Sequence, residues 1–128
     1  MRAFKTKRLD RWARKEGLSD AAMWNAAGEI LEGEFEASLG RHLYKKRIAR
    51  PGKGKSGGFR TIVAFKDIQD GNVYFLYGFA KSDRSNINST EREALCVIAK
   101  TLVEATGDGL KRLLQDGALV EIEEAHHQ

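Results

Sequence analysis

The sequence predicts an α+β fold in which an N-terminal helical hairpin packs on an antiparallel β-meander, followed by C-terminal helices and a candidate extra edge strand. Three observations predict it. Apolar residues recur at helical spacing up to Leu31, alternate with polar ones at strand spacing from Leu39 to Lys81, and return to helical spacing after Thr90. A chain of 128 residues, 41% of them hydrophobic, can bury one real core and is too short for two domains of ordinary size. One domain over residues 1–128 is expected, with 123–128 as a frayed polar tail.

The first helix is expected over Phe4–Glu16, with Leu9, Trp12 and Ala13 on one face, cations on the other, and Gly17 as a stop. Ser19 caps a second helix with Asp20 in its first turn, and Met23, Ala27, Ile30 and Leu31 form its apolar stripe until Gly33. Trp12 and Trp24 read as core residues of this hairpin.

After an acidic connector, strand alternation takes over. In Leu39–Ala49, Leu43, Lys45, Arg47 and Ala49 share one face and Tyr44, Lys46 and Ile48 the other; Phe59–Lys66 alternates likewise. The glycine-rich stretch between them, opened by the chain's only proline, is too long for a two-residue hairpin turn. Asp70-Gly71-Asn72 turns the chain into a third strand, Val73–Lys81. Thr90 and Glu93 have capping-box spacing for a third helix bearing Leu95, Ile98, Ala99, Leu102 and Val103, in which Cys96 is packing. Gly107 stops that helix, Asp108 caps a short one through Gln115, and Ala118–Ile122 is the candidate edge strand.

The net charge of +4 conceals blocks. Residues 19–36 carry five acids and no bases, residues 37–66 nine bases and no acids, and residues 67–128 six bases against eleven acids. Such segregation makes a local field stronger than the total implies and calls for a polyanionic partner, nucleic acid or an acidic protein. The single cysteine excludes an intramolecular disulfide and fits a reducing cytoplasm, and no 18-residue apolar stretch exists. A soluble, cytoplasmic protein that is not exported is expected, with no membrane association.

No cofactor or metal is expected: His42 lies on a predicted strand, and His126 and His127 lie in the tail without a third ligand at useful spacing. Gly52-Lys-Gly-Lys-Ser56 lacks the spacing of a phosphate-binding loop and does not open a helix. No nucleophile elbow occurs. What remains is a cationic constellation of Lys45, Arg47, Arg50, Lys53, Lys55, Arg60, Lys81 and Arg84, within which meander topology lets Arg47, Arg60 and Lys81 converge at one end of the sheet. A solvated, aggregation-resistant edge would also carry lysines, but would not require acids to be absent. Tyr77 and Phe79 either stack on bases or, as their alternation with Gly78 and Ala80 suggests, pack in the core.

The order helix, helix, three-stranded meander, with YKKRIA on strand one, GGFRTIVAF on strand two and LYGFAKSDRSNI closing strand three, resembles the RelE/HigB family of bacterial type II toxins. The likeness is nearest to the HigB-like subgroup, through KKRIARPGKGKSGGFRT, and spans residues 1–106. It implies a RelE-like fold and a ribosome-dependent endoribonuclease that cuts mRNA in the decoding site without a metal. It also implies a cognate antitoxin with a helix-turn-helix domain, HigA-like. Carried over by position, it assigns the catalytic cations to Lys45, Arg47, Arg60 and Lys81. Well-known members have a tyrosine soon afterwards; Asn88 stands nearest that position here, so the resemblance leaves the general base unassigned.

Those residue types suit the implied chemistry. Cleavage by the RNA's own 2′-hydroxyl needs that group deprotonated, the phosphorane charge stabilised and the leaving 5′-oxygen protonated. Arginine forks fit phosphate oxygens, so Arg47 and Arg60 are expected to stabilise charge, and Lys45 or Lys81 to move protons. Arg50, Lys53, Lys55, Arg84 and Phe79 are expected to bind RNA, the cations by salt-dependent contacts. The competing readings are a non-catalytic relative acting on a protein target such as gyrase, and a non-toxic RNA-binding module.

Overall fold

The computed structural model describes residues 1–50 and 54–124, the second segment with side chains from residue 57 onward. In chain order the elements are β1 (Arg2–Thr6), α1 (Lys7–Glu16), α2 (Asp20–Leu31), β2 (Ala37–Gly40), β3 (Leu43–Arg50), β4 (Gly54–Phe65), β5 (Asn72–Ala80), α3 (Ser89–Val103), α4 (Gly107–Gln115) and β6 (Leu119–Ile122). The described strands form one sheet in the order β2-β3-β4-β5-β1-β6. The α+β class, the helical hairpin, the antiparallel β3-β4-β5 meander and the added edge strand are all present.

The N-terminus departs from expectation. The helix predicted over Phe4–Glu16 begins only at Lys7, and Arg2–Thr6 is a strand lying parallel to β5 and antiparallel to β6. Thr6 marks the switch, because its Oγ1 accepts a hydrogen bond from the Leu9 N–H at 3.1 Å and caps α1. Ala3 and Phe4 are fully buried in the two opposite cores, as strand alternation requires. Phe4 stacks on Tyr74 with ring centroids 5.1 Å apart. A helical stripe of Leu9, Trp12 and Ala13 cannot reveal a strand whose partners lie some 70 residues away.

Three boundaries also shift. Residues Leu39–Ala49 do not form one strand: β2 and β3 are separated by Arg41 and His42, both at positive φ (51° and 67°), which is the backbone of a tight hairpin turn. Helix α3 tethers this turn, since Arg41 donates to Glu93 at 2.8 Å and Arg92 donates to the Leu39 carbonyl. The capping box of α3 is Asn88 with Glu91, not Thr90 with Glu93. Thr106 caps α4, so that Gly107 and Asp108 lie inside its first turn.

Helices α1 and α2 cover one face of the sheet, burying Leu9, Ala13, Met23, Ala27 and Ile30 against Phe59, Val63 and Phe75. Helices α3 and α4 cover the other, burying Leu95, Cys96, Ala99 and Leu102 against Phe4, Leu43, Ile62 and Leu76. Each large side chain so removed from water contributes about 1.5–3 kcal/mol before entropy is counted. Trp12 meets Phe59 edge-on at 5.2 Å and lies against Gly78, where a β-carbon would overlap the indole. Both tryptophans are half-buried on this core, as expected.

Candidate functional site

The register of the meander sets the site. Arg47 on β3 is opposite Arg60 on β4, which is opposite Phe79 on β5; two residues along, Lys45, Ile62 and Tyr77 are aligned. Residues directly opposite one another share a face, so Lys45, Arg47 and Arg60 emerge on the α3 side of the sheet. The next rung, Ile48, Phe59 and Ala80, belongs to the α1–α2 core. Lys81 follows immediately, exposed, and its N–H donates to the Gly58 carbonyl at 3.0 Å, extending the ladder by one residue. The sheet therefore brings Lys45, Arg47, Arg60 and the Lys81 backbone to one end.

Two like charges directly opposite each other repel, and a third group relieves the rung. Glu36, just before β2, places Oε1 2.7 Å from Arg60 Nε and Oε2 3.8 Å from Lys45 Nζ. Its N–H donates to the Lys45 carbonyl at 2.8 Å, which fixes the backbone from which the carboxylate reaches. Lys46, on the opposite face, is buried with its Nζ 2.8 Å from Glu29 Oε1 and 2.9 Å from the Glu34 carbonyl. The basic block at 37–66, expected to call for an external polyanion, therefore has counter-ions within the protein: Glu29 and Glu36 of the acidic block at 19–36 pair with Lys46, Lys45 and Arg60.

Burial sorts the cations. Arg60 is only 5% exposed, and although its Nε sits at ion-pair distance from Glu36, the N–H does not point along that contact. Both Nε and Nη1 are left without a hydrogen-bond acceptor among the described residues. Lys45 is half-buried and Arg47 exposed. Glu36 and Arg47 line an open groove of about 660 Å³ together with Glu29, Glu34, Phe35, Lys46 and Ala49. Arg50 is half-buried, with its guanidinium 5.3 Å from the Phe59 ring centre. Lys53 and the Lys55 side chain lie outside the described residues.

Two expected RNA contacts are otherwise occupied. Arg84 donates to Glu91 at 2.9 and 2.5 Å, to the Tyr77 hydroxyl at 3.1 Å and to the Asn86 carbonyl at 3.0 Å, fastening the loop after β5 to α3. These bonds, with one from the Asn88 N–H, hold the Glu91 carboxyl down at about 2. Phe79 is 4% exposed and lies under the Arg84 guanidinium at 5.4 Å, so it offers no open ring face. The half-exposed ring is Tyr77, flanked by Arg8 at 5.0 Å and Arg84 at 6.0 Å. Asn88 spends its side chain on the Glu91 N–H as the cap of α3.

Glu36 and Arg8 escaped sequence reasoning. A signal for Glu36 existed: an acidic run ending just before a basic strand becomes an antiparallel neighbour if the chain turns between them. Arg8 gave none, because its meeting with Tyr77 depends on where β1 ends. Among the described residues no group of three or more His, Cys, Asp or Glu side chains is placed to hold a metal ion, and no helix is long and apolar enough to cross a membrane.

Comparison with curated proteins returns no match. The family model described as RelE toxin of the RelE/RelB toxin-antitoxin system matches residues 1–122. That range extends beyond the 1–106 of the sequence resemblance to take in α4 and β6, and so covers every element of the sheet and both helical layers. The chain therefore belongs to the RelE toxin family, the toxin half of a toxin–antitoxin pair.

Proposed function

We propose that this toxin is a ribosome-dependent mRNA endoribonuclease of the HigB-like subgroup, acting in the cytoplasm as a single domain and neutralised by a helix-turn-helix, HigA-like antitoxin. The observation that carries the reading is the Arg47–Arg60 rung beside Lys45. Two guanidinium groups and an ammonium group on one sheet face form a ready receptor for a phosphate that gains charge in the transition state. Arg60 is 5% exposed with Nε and Nη1 fully buried, so its charge acts on the site through a poorly screened interior rather than through those two donors. Arg47 is exposed along the groove and serves the approach and orientation of the strand.

Cleavage needs no metal in this scheme. The RNA's own 2′-hydroxyl attacks the adjacent phosphorus, Arg60 and Arg47 take up the added charge, and Lys45 or Lys81 protonates the departing 5′-oxygen. Arg50 supports the backbone of the substrate, and Lys53 and Lys55 join it on the strength of their sequence positions.

Brief expression of the toxin followed by mapping of transcript 5′ ends tests the reading. Growth arrest with new 5′ ends inside translated reading frames is expected, and Arg60→Ala and Lys81→Ala should be harmless. Retained toxicity in both variants, or arrest with intact mRNA and damaged DNA, would overturn it.

A further inference from the structure

We infer that Glu36 is the general base of the cleavage reaction, an assignment that rests on the endoribonuclease reading above. A 2′-hydroxyl can be deprotonated only by a group holding a free lone pair at neutral pH. Arginine never offers one, and a lysine ammonium must first lose its proton. A carboxylate needs no prior loss of a proton to offer a lone pair. Among the described residues, Glu36 is the acid whose carboxylate contacts Lys45 and Arg60. Asn88 cannot titrate and is engaged as a helix cap, and the Tyr77 hydroxyl is tied to Arg84.

The placement suits the chemistry as well as the residue type. Glu36 lies against one edge of the Arg60 guanidinium, while Nη1 of the same group is buried without an acceptor among the described residues. A phosphate drawn to the exposed Arg47 in the groove that Glu36 also lines would bring its neighbouring ribose beside the carboxylate, which Arg60 holds in place from below. The Glu36 side chain is 37% exposed and faces the groove, where Arg47, Glu29, Glu34 and Lys46 are the other charged groups; Arg60 and Lys45 face it from β4 and β3. It is open to substrate on one side and anchored by cations on the other.

The step balances. A Glu36 carboxylate oxygen takes the 2′-hydroxyl proton as the 2′-oxygen bonds to phosphorus. The bond from phosphorus to the 5′-oxygen breaks, and that oxygen takes a proton from the Lys45 or Lys81 ammonium. The products are a 2′,3′-cyclic phosphate and a free 5′-hydroxyl. The proton on Glu36 then returns to the lysine directly or through water, with Lys45 Nζ only 3.8 Å away.

The test is single-turnover cleavage at pH 7 of mRNA on programmed ribosomes by the wild type, E36Q and E36D, with the ordinary message and with one carrying a bridging 5′-sulfur at the scissile bond, a leaving group that needs no proton. E36Q should lose on the order of 10²–10⁴-fold in rate on both messages, because attack by the 2′-hydroxyl still lacks its base. E36D, whose carboxylate is withdrawn by one methylene, should lose at least about tenfold. An E36Q enzyme restored to the wild-type rate by the sulfur leaving group would put Glu36 on the leaving-group side, and one within about twofold of wild type on the ordinary message would make it a bystander; either result overturns the assignment. If E36Q does not fold, an E36D rate within about twofold of wild type overturns it equally. A wild type that cleaves nothing on the ribosome defeats the endoribonuclease reading and this assignment together, whereas a cleaving wild type with unaffected variants defeats this assignment alone.

Discussion

Arg84 and Glu91 meet through two hydrogen bonds, at 2.9 and 2.5 Å, across the junction between the last strand of the meander and the first turn of α3. The pair sets the start of α3, because Glu91 also accepts from the Asn88 N–H in the capping box. The folded-state value of Glu91 is depressed to about 2 from an ordinary 4.5. Its contribution to stability is therefore complete above pH 4.5 and is lost as pH falls toward 2. Denaturant unfolding of wild type and E91Q across this range should show the wild-type advantage shrinking steadily with acid. An advantage independent of pH would contradict it.

Gly78 is needed for space rather than for backbone freedom. A β-carbon there would overlap the Trp12 ring, so Gly78→Ala should destabilise the protein by about 1–3 kcal/mol through overpacking. Trimming the indole in a Gly78→Ala/Trp12→Leu double variant should cost less than the sum of the single changes. Strict additivity in chemical denaturation would show that the two positions do not press on each other.

Lys5 is 5% exposed, with its Nζ 2.7 Å from Asp10 and 2.6 Å from Asp20, so it ties β1 to both N-terminal helices. Lys5→Ala removes the cation that these acids share among the described residues and, with the Asp20 side chain 48% exposed, should cost about 1–3 kcal/mol. Arg14 still compensates Asp10 in part, which sets the expected loss at the lower end of that range. A change below about 0.5 kcal/mol by urea denaturation would place the pair among inconsequential surface contacts.

Arg47 and Arg60 face each other across β3 and β4 but should behave differently with RNA. Arg47 is exposed, so Arg47→Ala should weaken binding of a short RNA and lower the salt slope by about one. Arg60 is buried against Glu36, so Arg60→Ala should leave the salt slope nearly unchanged while abolishing cleavage. Titrations at several salt concentrations, paired with single-turnover rates, separate the two; equal salt slopes for both variants would refute the distinction.

The parts of the fold that local pattern controls were legible. Period 3.6 identified α2 with its Ser19 cap, and period 2 identified the meander and the faces of Lys45, Arg47 and Arg60. Strand β1 was not, because its pairing with β5 is parallel and distant, and its five residues run straight into a genuine helix. The convergence of the basic residues followed from antiparallel register alone. Their neutralisation did not, because it depends on the Arg41-His42 turn folding an acidic segment against a basic one. Phe79 and Arg84 illustrate the same limit: type and position marked both as RNA contacts, whereas packing gave one to the core and the other to a carboxylate.

The acidic segment that folds back on β3 gives the receptor a tenant before any substrate arrives. Glu36 holds Arg60 and Lys45, and Glu29 holds Lys46. An anion entering there meets cations already paired with carboxylates instead of bare charge, which favours a ligand held in register over one that merely passes near. A free toxin built this way has a muted appetite for stray nucleic acid, and its selectivity begins with the contacts the unliganded protein makes to itself.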